Sequence, residues 1–465
     1  MSFEIDYRQV FTLKTRSPNM LQGPLISGII LYTIPIILTS VLQLLFNAAD
    51  LVVVGRFCGS ISVAAVGATG SITNLIVNLF MGLSIGAGVT VAHTIGSREE
   101  EGTHRTVHTA IPTALISGIF ISVIGVIFAP TFLKLMGTPE NVLPLSSVYM
   151  RIYFSGMVFT MVYNFCASIL RAAGDTRSPL IFLTIAGVIN VALNVVFVTM
   201  LDMNVAGVAL ATIISQAFSA VMVVITLMRR TDACKLELKK MRFYKIQLMK
   251  MIRIGLPAGV QSSLFAISNV LIQSSINSFG DVLMSGNAAA NNIEGFLYAA
   301  LNSFHQTAVN YIGQNAGAQQ YKRVLKVITL CLICVIAFGL LGGALICFFG
   351  PQLLSIYITD SAEALAYGEL RLMYMALPYF LCGMMDISTA ALRGMGESLI
   401  PMIISILGVC GIRIGWVCTI FQIEAFHTPQ SLYISYPISW IIVFVCQMIA
   451  FRQVFRKQAG TDLGL

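Results

Sequence analysis

Leu170-Arg171-Ala172-Ala173-Gly174-Asp175, followed by Pro179, returns 222 residues later as Leu392-Arg393-Gly394-Met395-Gly396-Glu397, followed by Pro401. Pro35 and Pro257 share that offset, and Ile95-Gly96 matches Ile312-Gly313 at an offset of 217. The chain is therefore a duplicated object. Long apolar runs surround each repeat, and two homologous halves in a membrane chain imply a substrate path between units that rock against each other.

Of the 465 residues, 57% are hydrophobic and only 10% charged, against about 25% charged in soluble domains. Apolar runs of about 20 residues or more recur, each long enough to cross about 30 Å of hydrocarbon as helix. The alternating segments of a transmembrane barrel do not dominate. The expectation is an all-α membrane protein with twelve transmembrane helices, near residues 26–54, 63–92, 108–130, 145–170, 178–201, 205–228, 253–279, 284–312, 326–350, 366–392, 399–421 and 431–452. Six fall in each half, giving two pseudo-symmetric six-helix lobes, 1–228 and 253–465, joined by a linker over 229–252. The first 23 residues are mixed and polar and lead into an apolar stretch longer than a signal core, which reads as an uncleaved anchor. The ten cysteines are scattered, and Cys331-x-x-Cys334 lacks the second pair or histidine that metal or redox chemistry needs.

Basic residues test the span count, because Lys and Arg concentrate in cytoplasmic loops. The N-terminal tail, the loops after the even-numbered spans and the C-terminal tail hold 23 of the 28. Both termini are therefore expected in the cytoplasm of a multi-pass cell-membrane protein. Arg56 and Lys134 fall in the other loops, Arg151 and Arg371 at outer helix ends, and Arg413 inside the eleventh span. The stretch from Arg229 to Arg253 carries nine basic and two acidic residues; its expected partner is anionic lipid rather than nucleic acid.

An ionisable group inside a span costs about 2.5 to 3.5 kcal/mol on insertion scales, so each needs a function or a partner. Asp50 extends a stripe begun by Gln43 and Asn47, while Asn190 and Asn194 share one face of the fifth span. By helical rise these residues and Thr212 of the sixth span lie at comparable depth. They make either a cation-coupling site, with a Na+ at Asp50 as the one metal to consider, or a hydrogen-bond cluster that holds the lobe together. In the eighth span Asn287, Asn291, Glu294, Tyr298, Asn302 and His305 form a second polar stripe. Glu294, near mid-membrane, is expected to hold a proton or cation, or else to pair with Arg413. Asn291, Glu294, Tyr298, Asn302, Asp386 and Arg413, with Gln43 and Asn47, are the expected cavity residues; His305 reads as packing. Pro35 and Pro257 are hinge candidates, and Gly82, Gly86 and Gly88 permit close helix approach. There is no Walker loop and no nucleophile–base pair, so neither an ATPase nor a hydrolase is expected.

Asn47-Ala48-Ala49-Asp50 followed by Val54-Gly55, the paired Leu-Arg-x-x-Gly-Asp/Glu signature and Ile312-Gly313-Gln314-Asn315-Ala316-Gly317-Ala318 resemble the multidrug and toxic compound extrusion family. The resemblance covers nearly the whole chain. It implies an efflux antiporter of the polysaccharide-flippase superfamily, exchanging lipophilic, often cationic compounds for H+ or Na+ without a cofactor. It assigns Asp50, Asn190 and Thr212 to the coupling site. Where relatives carry Asp one turn after the fifth-span Asn, this chain has Asn194, a loss of charge that favours H+ over Na+. The acid that some branches carry soon after the equivalent of Gly255-Leu256-Pro257 is also missing, a place Glu294 can fill. A monomer is expected, acting on drug-like molecules, for which 22 methionines and 28 phenylalanines supply adaptable walls. The nearest rival is a flippase for lipid-linked precursors, and the more distant one an uncoupled channel or receptor.

Overall fold

The computed structural model describes residues 19–359 and 361–460; the basic residues of the N-terminal tail lie outside them. Among the described residues every regular element is helical. The first lobe contains α1 (Leu25–Phe57), α2 (Ser60–Gly96), α3 (Glu100–Leu135), α4 (Leu143–Ser155 and Met157–Ala172), α5 (Arg177–Met200) and α6 (Asn204–Arg229). The second contains α7 (Lys245–Asn277), α8 (Asp281–Gly317), α9 (Tyr321–Phe348), α10 (Ala362–Met375 and Tyr379–Gly394), α11 (Leu399–Gln422) and α12 (Pro429–Ala459). Nine of these are long and apolar enough to span a bilayer, and the bent pairs α4 and α10 qualify as wholes. The twelfth, α8, is 37 residues long and carries the polar stripe. Large apolar side chains such as Leu31, Ile127, Leu341 and Ile449 stand exposed around the helices, an outer surface suited to hydrocarbon.

The duplication is written in the backbone. Gly174 and Gly396, the glycines of the repeated signature, both adopt the left-handed region, at φ 91° and 88°. Each closes its helix in the same way. The Asp175 amide donates to the Leu170 carbonyl at 2.8 Å and the Glu397 amide to that of Leu392 at 3.0 Å, the reach-back bond that a left-handed glycine makes possible. Gly59 and Gly280 open α2 and α8 with φ of 85° and 94°, and Arg98 and Gln319 follow those helices with φ of 57°. α4 bends by 45° at Gly156 and α10 by 43° at its Ala376–Pro378 break, and Pro378 stands 222 residues after Gly156. Pro35 and Pro257 lie inside continuous helices instead.

The lobes meet chiefly through α2 against α7, with α8 packed on α1 and α2. Gly82 and Gly86 of α2 face Gly255 and Gly259 of α7 so closely that a Cβ on any of the four would strike the opposing backbone. This is the small-x-x-x-small geometry by which membrane helices approach. Among the described residues, the side-chain hydrogen bonds that cross between lobes run from Ser263, donating to the Leu75 carbonyl at 3.1 Å, towards the basic-loop side. They include Thr33 with Thr307 at 2.8 Å, Arg171 to Gln306 at 2.8 Å, Gln314 to the Ala172 carbonyl at 2.7 Å and His93 with the Gly394 carbonyl at 2.6 Å. The lobes are thus pinned along the side that holds the basic loops.

Candidate functional site

In the first lobe the structure brings together four of the expected residues. The amide of Asn194 donates to Asp50 Oδ1 and, at 3.3 Å, to Asn190 Oδ1. Asn190 in turn donates to Thr212 Oγ1 at 3.4 Å. The reason is helical spacing. Residues four apart on α5 stack on one face, and that face looks across at α1 and α6. Asn190 and Asn194 are buried, Asp50 is half-buried, and Gln43 and Asn47 are exposed on α1. Asn194 Oδ1 is buried without a hydrogen-bond partner. Val53 and Val54, further along α1 from Asp50, pack with Val208 of α6 and Tyr149 of α4. Among the described residues Asp50 enters no ion pair, so its carboxylate is held by dipoles alone.

The second lobe encloses a cavity of about 570 Å³, within the range of drug-sized sites. Asn291, Glu294, Tyr298, Asp386 and Arg413 line it, as do Phe265, Arg371, Tyr379, Tyr436 and Trp440, with Asn78 of α2 reaching in from the other lobe. Gln43, Asn47 and Asn302 are not on its wall. Asn302 instead accepts from Gln306 at 3.2 Å and so joins the chain that runs to Arg171 across the lobe boundary. His305 packs behind the wall, its Nδ1 donating to the Asp386 carbonyl at 2.7 Å.

Two expectations about charge are corrected. Arg371 does not sit at an outer helix end: it is 5% exposed and grips Glu294 with two bonds, Nε to Oε1 at 3.0 Å and Nη2 to Oε2 at 2.8 Å. Its remaining donors reach Asn287 and Asn291. Nor does Arg413 pair with Glu294. It donates through Nε to Ser439 Oγ at 3.1 Å and lies 3.9 Å from the centroid of the Tyr436 ring. The misplacement of Arg371 has a plain cause. α10 begins at Ala362, capped by Ser361 accepting from the Ala364 amide at 3.1 Å, whereas the apolar run suggests a start at 366 and leaves Arg371 apparently terminal. The Ser-x-Glu start at 361–363 was the legible signal.

The arrangement can do two things chemically. A carboxyl held by an amide can gain or lose a cation without breaking an ion pair, whereas Glu294 cannot. The aromatic and cationic wall of the second-lobe cavity can stack planar molecules.

Comparison with known proteins agrees with this layout. The MatE family model matches twice, over residues 35–196 and 257–417. "Probable multidrug resistance protein YoeA" of Bacillus subtilis is 26% identical over 93% of this chain and 95% of its own length. A protein of Shewanella oneidensis named "FAD transporter" is 23% identical over 83% of this chain and 86% of its own. The solved outward-facing structure of a multidrug resistance MATE family transporter of the MOP superfamily superposes with a TM-score of 0.88, at 20% identity over 96% of this chain and 99% of that one. Two family matches in register with an internal duplication, on a twelve-helix fold of the same shape, leave one assignment: the chain belongs to the MatE, or multidrug and toxic compound extrusion, family of membrane transporters.

Proposed function

We propose that this protein is a secondary active multidrug antiporter of the cell membrane, exporting lipophilic compounds, cationic ones among them, in exchange for H+, with Na+ as the less favoured coupling ion. The observation that carries this reading is Asp50, a carboxylate inside a span whose described partner is the Asn194 amide. Both termini are read as cytoplasmic, so the pinned side is read as facing the cytoplasm.

Protonation of Asp50 removes a charge that hydrocarbon disfavours and frees the Asn194 amide to repack. The consequence travels along α1. Thr33, about 25 Å away by helical rise, bonds Thr307 of the other lobe, and Tyr32 donates to the Arg171 carbonyl at 2.7 Å. A change at one end of that helix therefore bears on the contacts that keep the other end shut. Proton and drug then favour different states, and each shifts the balance only by its differential affinity for the two.

The test is dye export into everted vesicles under an imposed pH gradient, with and without Na+. The Asp50→Asn variant is expected to bind dye yet lose gradient-driven transport; undiminished coupled export by that variant would sink the coupling role. Export that tracks a Na+ gradient after the proton gradient is collapsed would replace H+ with Na+.

A further inference from the structure

The second-lobe cavity holds a cation that enters none of the ion pairs among the described residues. Glu294 is taken by Arg371 in a two-bond grip. Asp386 lines the same cavity, its Oδ2 buried without a hydrogen-bond partner, and Arg393 lies two turns along the same helix. Arg393 itself is buried and donates to Gln261 at 2.7 Å. Arg413 remains. It is 4% exposed, lines the cavity, and enters none of the ion pairs among the described residues.

The geometry of Arg413 is that of a built receptor rather than a stray charge. Its Nε is committed to Ser439. Its plane is set by Tyr436, with Trp440 at 5.8 Å on the same helix. A guanidinium fixed in this way keeps its two terminal nitrogens free to grip an oxyanion in parallel, the fork geometry that lysine lacks. Aromatic side chains around it offer faces to a flat ring. We propose that this cavity is a binding site for aromatic oxyanions, molecules pairing a planar ring with a carboxylate or phosphate, and that Arg413 is its specificity-determining residue. The inference rests on the transport reading for its physiological meaning, but the site itself is a matter of binding.

The probes are three molecules with one ring and three charges: naphthalene-2-carboxylate, 2-naphthalenemethanol and 2-naphthylmethylammonium. Their binding to the full chain in lipid nanodiscs is measured by equilibrium dialysis, with inorganic pyrophosphate as a ring-free competitor. The carboxylate is expected to bind about tenfold or more tightly than either relative, the scale of a buried charge-assisted pair. Arg413→Gln is expected to erase that preference while leaving the alcohol's affinity in place. Arg413→Lys, which keeps the charge and guards against a folding defect, is expected to lose most of the preference. Tightest binding by the ammonium probe, or a carboxylate preference that survives in Arg413→Gln, overturns the proposal. Pyrophosphate that displaces the carboxylate at equal concentration overturns the aromatic requirement. Proteoliposome counterflow separates the two readings. Drug transport without carboxylate binding removes the anion site and leaves the transporter, whereas carboxylate binding without transport of any probe does the reverse.

Discussion

Asp50 and Glu294 are both carboxylates sunk in spans of lobes that descend from one repeat, yet they live under opposite constraints. Asp50 leans on the amide of Asn194, and its protonation would break none of the ion pairs among the described residues. Glu294 is clamped by a guanidinium that is itself held by Asn287 and Asn291. The same contrast divides α5 from α11. At the offset of 222, Arg413 corresponds to Val191, between the two asparagines of the first-lobe cluster. Duplication has preserved the turns, bends and caps while the buried chemistry has diverged: one lobe presents a titratable acid, the other a fixed cation.

The sharpest way to break this comparison is to remove one member of the clamp. Arg371→Met strands a buried carboxylate and is expected to cost about 3 to 5 kcal/mol, read as a large drop in the thermal midpoint of detergent-solubilised protein. Arg371→Met combined with Glu294→Gln should recover most of it. A single variant as stable as the parent would mean that Glu294 is no more constrained than Asp50. Asp50→Asn should show the reverse pattern, with a thermal midpoint close to the parent's and gradient-driven export reduced by at least about tenfold, in keeping with lost coupling rather than lost folding. Between the two lies closure. Gly86→Leu pushes a side chain onto the α7 backbone, so disulfide formation by a Thr33→Cys, Thr307→Cys pair should fall by about tenfold, the effect of about 1.4 kcal/mol on a two-state balance. Unchanged cross-linking would show that the glycine faces do not govern it. Smallest of all, Asn190→Ala removes two long hydrogen bonds, one to Thr212 and one from Asn194, and should cost about 0.5 to 1.5 kcal/mol for each with coupling retained. A complete loss of export in this variant would move the ion's position from Asp50 towards α6.

The spans, their number and the duplication were legible because hydrocarbon imposes a length and composition that a linear reading detects. Helix ends were less so: α2 runs to Gly96 and α7 starts at Lys245, since a helix can outlast its apolar stretch in the headgroup region and beyond. The Asp50 cluster emerged from local spacing on α5 and depth matching across helices. The Arg371 clamp did not, because its recognition needed the true start of α10 and the 43° bend that follows. The bonds of Thr33 with Thr307 and of Arg171 with Gln306 were equally hidden, since nothing local in a sequence records which hydroxyls and amides two lobes will share.

The facing glycines of α2 and α7 carry one last consequence. Lipid tails are as apolar as any leucine, so no hydrophobic force holds these helices together once they are in the bilayer. What remains at the glycine faces is dispersion between bare backbones, with no rotamers to freeze on contact or release on parting, beside the Ser263 bond to Leu75. The glycine faces themselves can part and rejoin without repacking side chains. Moving a population from one percent to ninety-nine takes about 5.5 kcal/mol of differential binding, and glycine faces this plain add little to that sum.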